Sequence, residues 1–260
     1  MSVKKSVMVF VQQSDGVAAE ASLELVCKAR ELAGRLGVRT SAAFIGHDIR
    51  QAAARVAAYG VDEMYLVEGP RLKDYSPVPY AKVMTEIIKK LDPQIVLFGA
   101  TTTGRDLAPR IASALKVGLT ADCTDLRIGD HQTKDKTYKD ILYQIRPAFG
   151  GNIIATIVSP DRLPQMATVR EGVMRMTAPD PAYKTTFTDF PFELGDQDFP
   201  SEIVERVREA KRVNLKGAQV IVSGGMGVGN KANFDLVVKL AEILGGVVGA
   251  SRAAVDAGWV

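Results

Sequence analysis

Two hydrophobic periods alternate through the first hundred residues. Val7 to Val11, VMVFV, is an unbroken apolar run of strand length. Between Ala18 and Leu36 the apolar positions recur at three- and four-residue spacing, which predicts an amphipathic helix closed by Gly37. RTSAAFIG (39–46) reads as the next strand, 49–59 as a helix stopped at Gly60, EMYLVEG (63–69) as a strand, 78–91 as a helix, and QIVLFGA (94–100) as a strand. Such alternation predicts an α/β fold with a Rossmann-like parallel sheet covered by helices on both faces. Ligands of such sheets meet the loops at the carboxyl ends of the strands.

The loop after the fourth of these strands is ATTTGRDLAPR (100–110). Its hydroxyls and free amides open a helix and could face an anion or a polar cofactor atom, or Thr103 could simply be an N-cap. Pro109 is unfavourable inside a helix, so the regular helix is expected to begin near it. After Gly118 the pattern turns β-rich, with TADCTDLRI, YKDILYQI and GNIIATIVS separated by polar or glycine turns and a hairpin loop at 131–139. Residues 178–201 carry four prolines and read as an extended connector with one strand, while 202–212 fits a helix or a strand equally.

A second βαβ pattern follows: strand 218–223, glycine-rich turn GGMGVGN (224–230), helix 231–244 and strand 246–251. The turn differs from the GxGxxG dinucleotide fingerprint. A pyrophosphate near Gly225, Gly227 and the amide of Asn230 is one reading; a tight turn with close packing is the other. Two strands and one helix bury too little surface to stand alone, so a truncated domain, or one completed by another polypeptide, is expected. The expected organisation is a domain over 1–211, a hinge at 212–217 and an incomplete flavodoxin- or Rossmann-like domain over 218–260.

Composition narrows the chemistry. With 260 residues, 47% of them hydrophobic, the chain can fill a sizeable core. It has no apolar run long enough for a membrane span and no recognisable leader, so a cytoplasmic location is expected. Its 33 basic and 30 acidic residues are intermixed, for a net charge of +3, without the basic stripe of a nucleic-acid binder. Cys27 and Cys123 form no CxxC, and His47 and His131 have no ligand-like neighbours, so neither a metal nor a hydrolytic centre is indicated. One stretch stands out, YQIRPAFGGN (143–152), where a β-run meets Arg146, Pro147, Phe149 and two glycines. It is either a strand ending at a bulge or turn, or a cation held in a shaped loop.

Longer motifs carry a resemblance. SGGMGVGNKANFDLVVKLAEILGGVVGASRAAVDAGW resembles the FAD-domain signature of the electron transfer flavoprotein α subunit, and GATTTGRDLAPRIASAL with GLTADCTDL resembles that family's N-terminal domain. The resemblance implies a heterodimer with a β subunit, FAD in the C-terminal α domain, and electron exchange with an acyl-CoA dehydrogenase or related flavoenzyme. Ser251 and Arg252 match family positions that contact this FAD, where a guanidinium favours the anionic reduced flavin. Met226 stands where the family's SGGRG has an arginine, which leaves it van der Waals contact. Family segments that follow DAGW supply further contacts, so the α-subunit FAD site is expected to be incomplete in this chain.

RPAFGGN, with QMATVREGVM (165–174), further resembles the electron-bifurcating group, whose β subunit binds a second FAD where ordinary members bind AMP. Arg146 then matches the arginine at the N5 edge of that flavin, Pro147 and the glycines fix the loop, and Phe149 belongs to the same cofactor stretch. The implied activity appears only in the assembled complex: electrons from NADH divide between the α-subunit FAD with its dehydrogenase and ferredoxin or flavodoxin. The alternatives are an ordinary single-FAD carrier, an adenine-nucleotide-binding protein resembling the universal stress group, and a purely structural partner.

Overall fold

Every residue of β1 (Ser6–Val11) is buried, because the strand lies in the middle of a sheet with helices on both sides. In the computed structural model, residues 5–148, 153–207, 215 and 218–260 are described, and the chain divides into two compact units, 1–202 and 203–260. After β1 come a two-residue hairpin of β2 (Gln13–Ser14) and β3 (Val17–Ala18), then α1 (Glu20–Leu36), β4 (Arg39–Gly46), α2 (Arg50–Ala57), β5 (Glu63–Glu68), α3 (Pro77–Leu91), β6 (Ile95–Gly99) and α4 (Thr102–Leu115). Alternate residues of β1 enter opposite layers. Val7, Val9 and Val11 join Leu25, Val26 and Leu32 of α1, while Met8 and Phe10 join Val83, Met84, Leu107 and Ile111 of α3 and α4.

The chain continues through β7 (Leu119–Cys123), β8 (Asp125–Gln132), β9 (Thr137–Pro147), β10 (Ile154–Ile157), β11 (Gln165–Val169) and β12 (Thr186–Asp189). β10, β9 and β8 form an antiparallel sheet, and seven strands form the main sheet in the order β12-β5-β4-β1-β6-β11-β7. All its pairings are parallel. QMATV, read from sequence as a motif without a strand assignment, is fully buried as β11 between β6 and β7. The proline-rich connector supplies β12, which pairs with β5 at the sheet edge.

Two local expectations are corrected. Thr101, not Thr103, caps α4: its hydroxyl accepts the Gly104 amide at 3.0 Å. The helix then runs through Pro109 instead of starting there. Pro109 lies on the exposed side, where its ring meets solvent and the one lost hydrogen bond is tolerated. Residues 202–207 have no regular structure, and the rest of the ambiguous segment, with residues 212–214 and 216–217 of the expected hinge, lies outside the described residues.

The second unit contains β13 (Ile221–Gly224), α5 (Lys231–Ile243), β14 (Val247–Ala250) and α6 (Arg252–Asp256). β13 and β14 pair in parallel from Ile221–Val247 to Gly224–Ala250. Phe234 of α5 packs on this pair with its ring against Gly224, where a Cβ would stand 2.6 Å from the ring, and with its other side towards Trp259 at 6.5 Å between centroids. α6 replaces the loop expected after residue 251.

Candidate functional site

The second unit places its sequence-predicted residues at one edge. The Gly225–Asn230 turn follows β13 and Ser251–Arg252 follows β14, so both lie at carboxyl ends of parallel strands. Ser251 N–H donates to Gly224 O at 3.0 Å, and a Cβ at Gly225 would be 3.4 Å from Ser251 Oγ. The two loops are therefore adjacent. Asn230 Oδ1 accepts the Asn233 amide at 2.8 Å and caps α5. Nothing lies within 4 Å of a Cβ built on Gly227, and within the turn the Val228 amide donates to Gly225 O and the Gly229 amide to Met226 O, both at 3.0 Å. Met226 is about half exposed, and Arg252 is 93% exposed with Asp256 Oδ2 3.5 Å from its Nε. A glycine turn with free space at Gly227 and an exposed guanidinium following the adjacent strand fits a phosphate-bearing cofactor such as FAD.

In the first unit, Arg146 is the penultimate residue of β9 and pairs with Ala155 of β10. Its Nε reaches Pro147 O at 3.4 Å, and among the described residues no carboxylate stands within ion-pair distance of it. On the same face of β9, two residues back, Gln144 is fully buried. Both polar atoms of its carboxamide lack a partner among the described residues. Arg146 is a half-buried cation whose charge is not matched by a carboxylate among the described residues, an arrangement suited to an incoming anionic or polar ring edge. Phe149 and both glycines of the stretch lie outside the described residues.

Beside Arg146 the structure assembles a cluster not anticipated from sequence. The Asp122 carboxylate accepts from Arg170 Nη2 at 2.6 Å and from Arg105 Nη2 at 3.0 Å. These contacts hold the Asp122 carboxyl below the usual carboxylate range: the Arg170 hydrogen bond contributes most, followed by the charges of Arg170, Arg105 and Arg146, against the opposing effect of burial. Burial pushes the neighbouring Cys123 thiol up to about 12, with Arg146 pulling the other way. Cys123 is therefore a neutral core residue rather than a nucleophile. No group of histidine, cysteine or carboxylate side chains suited to a metal occurs among the described residues, and no described helix is long and apolar enough to cross a membrane.

The doubly covered parallel sheet and the glycine-turn βαβ unit define an α/β protein with Rossmann-like elements. The particular family follows from comparison with known proteins. Residues 7–194 match the electron transfer flavoprotein domain and residues 214–260 match the electron transfer flavoprotein FAD-binding domain. The chain is 43% identical over 261 residues to the electron transfer flavoprotein subunit alpha of Thermoanaerobacterium thermosaccharolyticum, covering 100% of this chain and 77% of that protein. It is 36% identical to the acryloyl-CoA reductase electron transfer subunit beta of Anaerotignum propionicum, over 98% of this chain and 76% of that one. Identity is also 36% to the lactate dehydrogenase (NAD(+),ferredoxin) subunit LctC of Acetobacterium woodii, over 99% of this chain and 60% of that subunit. The chain belongs to the electron transfer flavoprotein α-subunit family.

Proposed function

We propose that this chain is the α subunit of an electron-bifurcating electron transfer flavoprotein acting in the cytoplasm, with its own FAD at the 225–230 and 251–252 edge and a second FAD on the β subunit facing Arg146. The two flavins together supply two-electron acceptance from NADH and one-electron delivery to separate acceptors, a dehydrogenase of the acyl-CoA type and ferredoxin or flavodoxin. The chain's own contribution is positional and electrostatic. Arg146 is held at a strand end with its charge unspent among the described residues, so it can stabilise negative charge on a ring brought against it. The second unit presents its glycine turn and Arg252 to the α-subunit FAD.

The observation that carries the reading is Arg146 at the end of β9, half-buried and with no carboxylate within ion-pair distance among the described residues. The printed name of the lactate dehydrogenase relative, which includes both NAD(+) and ferredoxin, supports the same direction. An ordinary single-FAD carrier is the competing reading. FAD and AMP content of the complex purified with its β subunit separates the two: two FAD without AMP is expected, and one FAD with AMP overturns bifurcation. In the same complex, Arg146→Ala is expected to leave assembly intact and to shift the reduction equilibrium of the β-subunit flavin toward the oxidised form about tenfold, about 1.4 kcal/mol. An unchanged flavin potential would remove Arg146 from the site.

A further inference from the structure

The carboxyl ends of β6, β11 and β7 meet beside the end of β9. Ala100 N–H donates to Val169 O at 2.6 Å, Arg170 N–H to Cys123 O at 2.9 Å, and Thr124 N–H to Ile145 O at 2.8 Å. Residues at or just beyond the ends of four different strands, Arg105 in the first turn of α4 after β6, Asp122 near the end of β7, Arg146 near the end of β9 and Arg170 after β11, are thereby gathered at one corner. Asp122 is held there by its backbone: its φ is 64°, and its amide donates to Thr168 Oγ1 at 2.9 Å. Its side chain is 25% exposed, against 59% for Arg105 and 47% for Arg170. The carboxylate is thus the inner member of the cluster and the arginines its outer shell.

We propose that Asp122 is a positioning and charge-setting residue for the flavin that Arg146 faces. It orders Arg105 and Arg170 around that corner, and it offsets one of three positive charges, so that the field acting on a reduced, anionic flavin is strong but not maximal. This rests on the reading of Arg146 given above. A mere clasp between α4, β7 and β11 would need the two ion pairs but would be indifferent to the net charge they leave. A charge-setting residue is distinguished by sign: removing the carboxylate and removing an arginine must move the flavin in opposite directions.

The test uses the heterodimer with its β subunit and both flavins, with midpoint potentials measured by spectroelectrochemical titration. Asn keeps the left-handed backbone conformation that residue 122 adopts and retains an acceptor oxygen, so Asp122→Asn isolates the charge. It is expected to shift the β-subunit flavin about tenfold toward reduction, about 30 mV for a two-electron couple. Arg170→Gln, acting from the outer shell, is expected to shift it by a similar factor toward oxidation, and the double variant to return near the wild-type value. If both single variants leave the potential unchanged, or both move it the same way, while Arg146→Ala lowers it, the cluster is a structural clasp and the proposal fails. If Arg146→Ala also has no effect, or the complex holds one FAD, the bifurcating reading fails and takes the proposal with it.

Discussion

β1 and β13 are both parallel strands that end in a ligand-type loop, yet β1 is buried at every residue and β13 alternates between exposed and half-buried. The difference lies in how many layers each sheet has. β1 has a neighbour on each edge and a helical layer on each face, so its side chains are removed from water whichever way they point. β13 has one neighbour and receives α5, whose buried residues are Phe234 and Ala241. The apolar side chains of Leu236, Leu240, Ile243 and Leu244 remain between 48% and 80% exposed. Local chemistry is equally well formed in both units, and among the described residues the large buried core lies in the first.

Core truncation should reveal the largest contrast. Phe98 is fully buried and lies 5.7 Å from Phe10 between ring centroids. Phe98→Ala is expected to cost about 3–5 kcal/mol in urea unfolding. Leu236→Ala, at a side chain 68% exposed, should stay within about 0.5 kcal/mol. Equal costs would break the comparison, because they would mean that α5 is covered as thoroughly as β6.

Glycine substitution sharpens the contrast in the loops themselves. A Cβ at Gly104 would overlap the Gly99 carbonyl oxygen, whereas one at Gly227 meets nothing within 4 Å. Gly104→Ala should therefore destabilise the first unit by about 1–3 kcal/mol, while Gly227→Ala should leave melting within about 0.5 kcal/mol. If Gly227→Ala nonetheless weakens FAD retention in the complex, the open space at that turn belongs to the cofactor.

Much of this contrast can be read in the chain, and the unread part has a physical cause. The strands and helices from Val7 to Gly99 follow local periodicity, because each apolar run or helical face is recognisable without knowing its neighbour. β11 went unassigned, and the one strand expected in the 178–201 connector could not be placed, because both are set by distant partners: QMATV pairs with β6 and β7, and TFTD with β5. The Pro109 expectation failed because a proline on the solvent side costs a helix less than one packed inside. At the site, Gly225, Ser251 and Arg146 could be named from motifs, but the Asp122 cluster could not. Arg105, Asp122 and Arg170 lie in three separate stretches, ATTTGRDLAPR, GLTADCTDL and QMATVREGVM, and only the strand order brings them together. Three family-like motifs, each contributing one charge, were the available signal.

Helix caps provide a control in which the two units should behave alike. Thr101 caps α4 and Asn230 caps α5 through the same side-chain acceptance of an amide three residues on. Alanine at either position should cost about 1 kcal/mol. Thr101 should cost the more, since its hydroxyl also donates to Gln12 Oε1. Hydrogen exchange of the first-turn amides reads each cap separately. A cap at Asn230 worth nothing would show that α5 is held by something other than its own local chemistry.

The smallest effect tests the strap that follows β12. Phe190, Phe192, Leu194 and Phe199 pack against the α3 and α4 layer, and Lys82 Nζ closes the strap onto Asp198 at 2.7 and 2.8 Å. Hydrogen bonds from Lys82 and then the Gly195 amide hold the Asp198 carboxyl below its usual range. A carboxyl depressed in the folded state stabilises it above the unfolded pKa, about 3.9, and loses that contribution as pH falls through the lower folded value. The melting advantage of wild type over Asp198→Asn should thus be constant from neutral pH down to about pH 4 and shrink at lower pH. A constant difference across the acid range would mean that the strap is held by its aromatic side chains alone, so that the first unit owes its closure to the same apolar layering that buries β1.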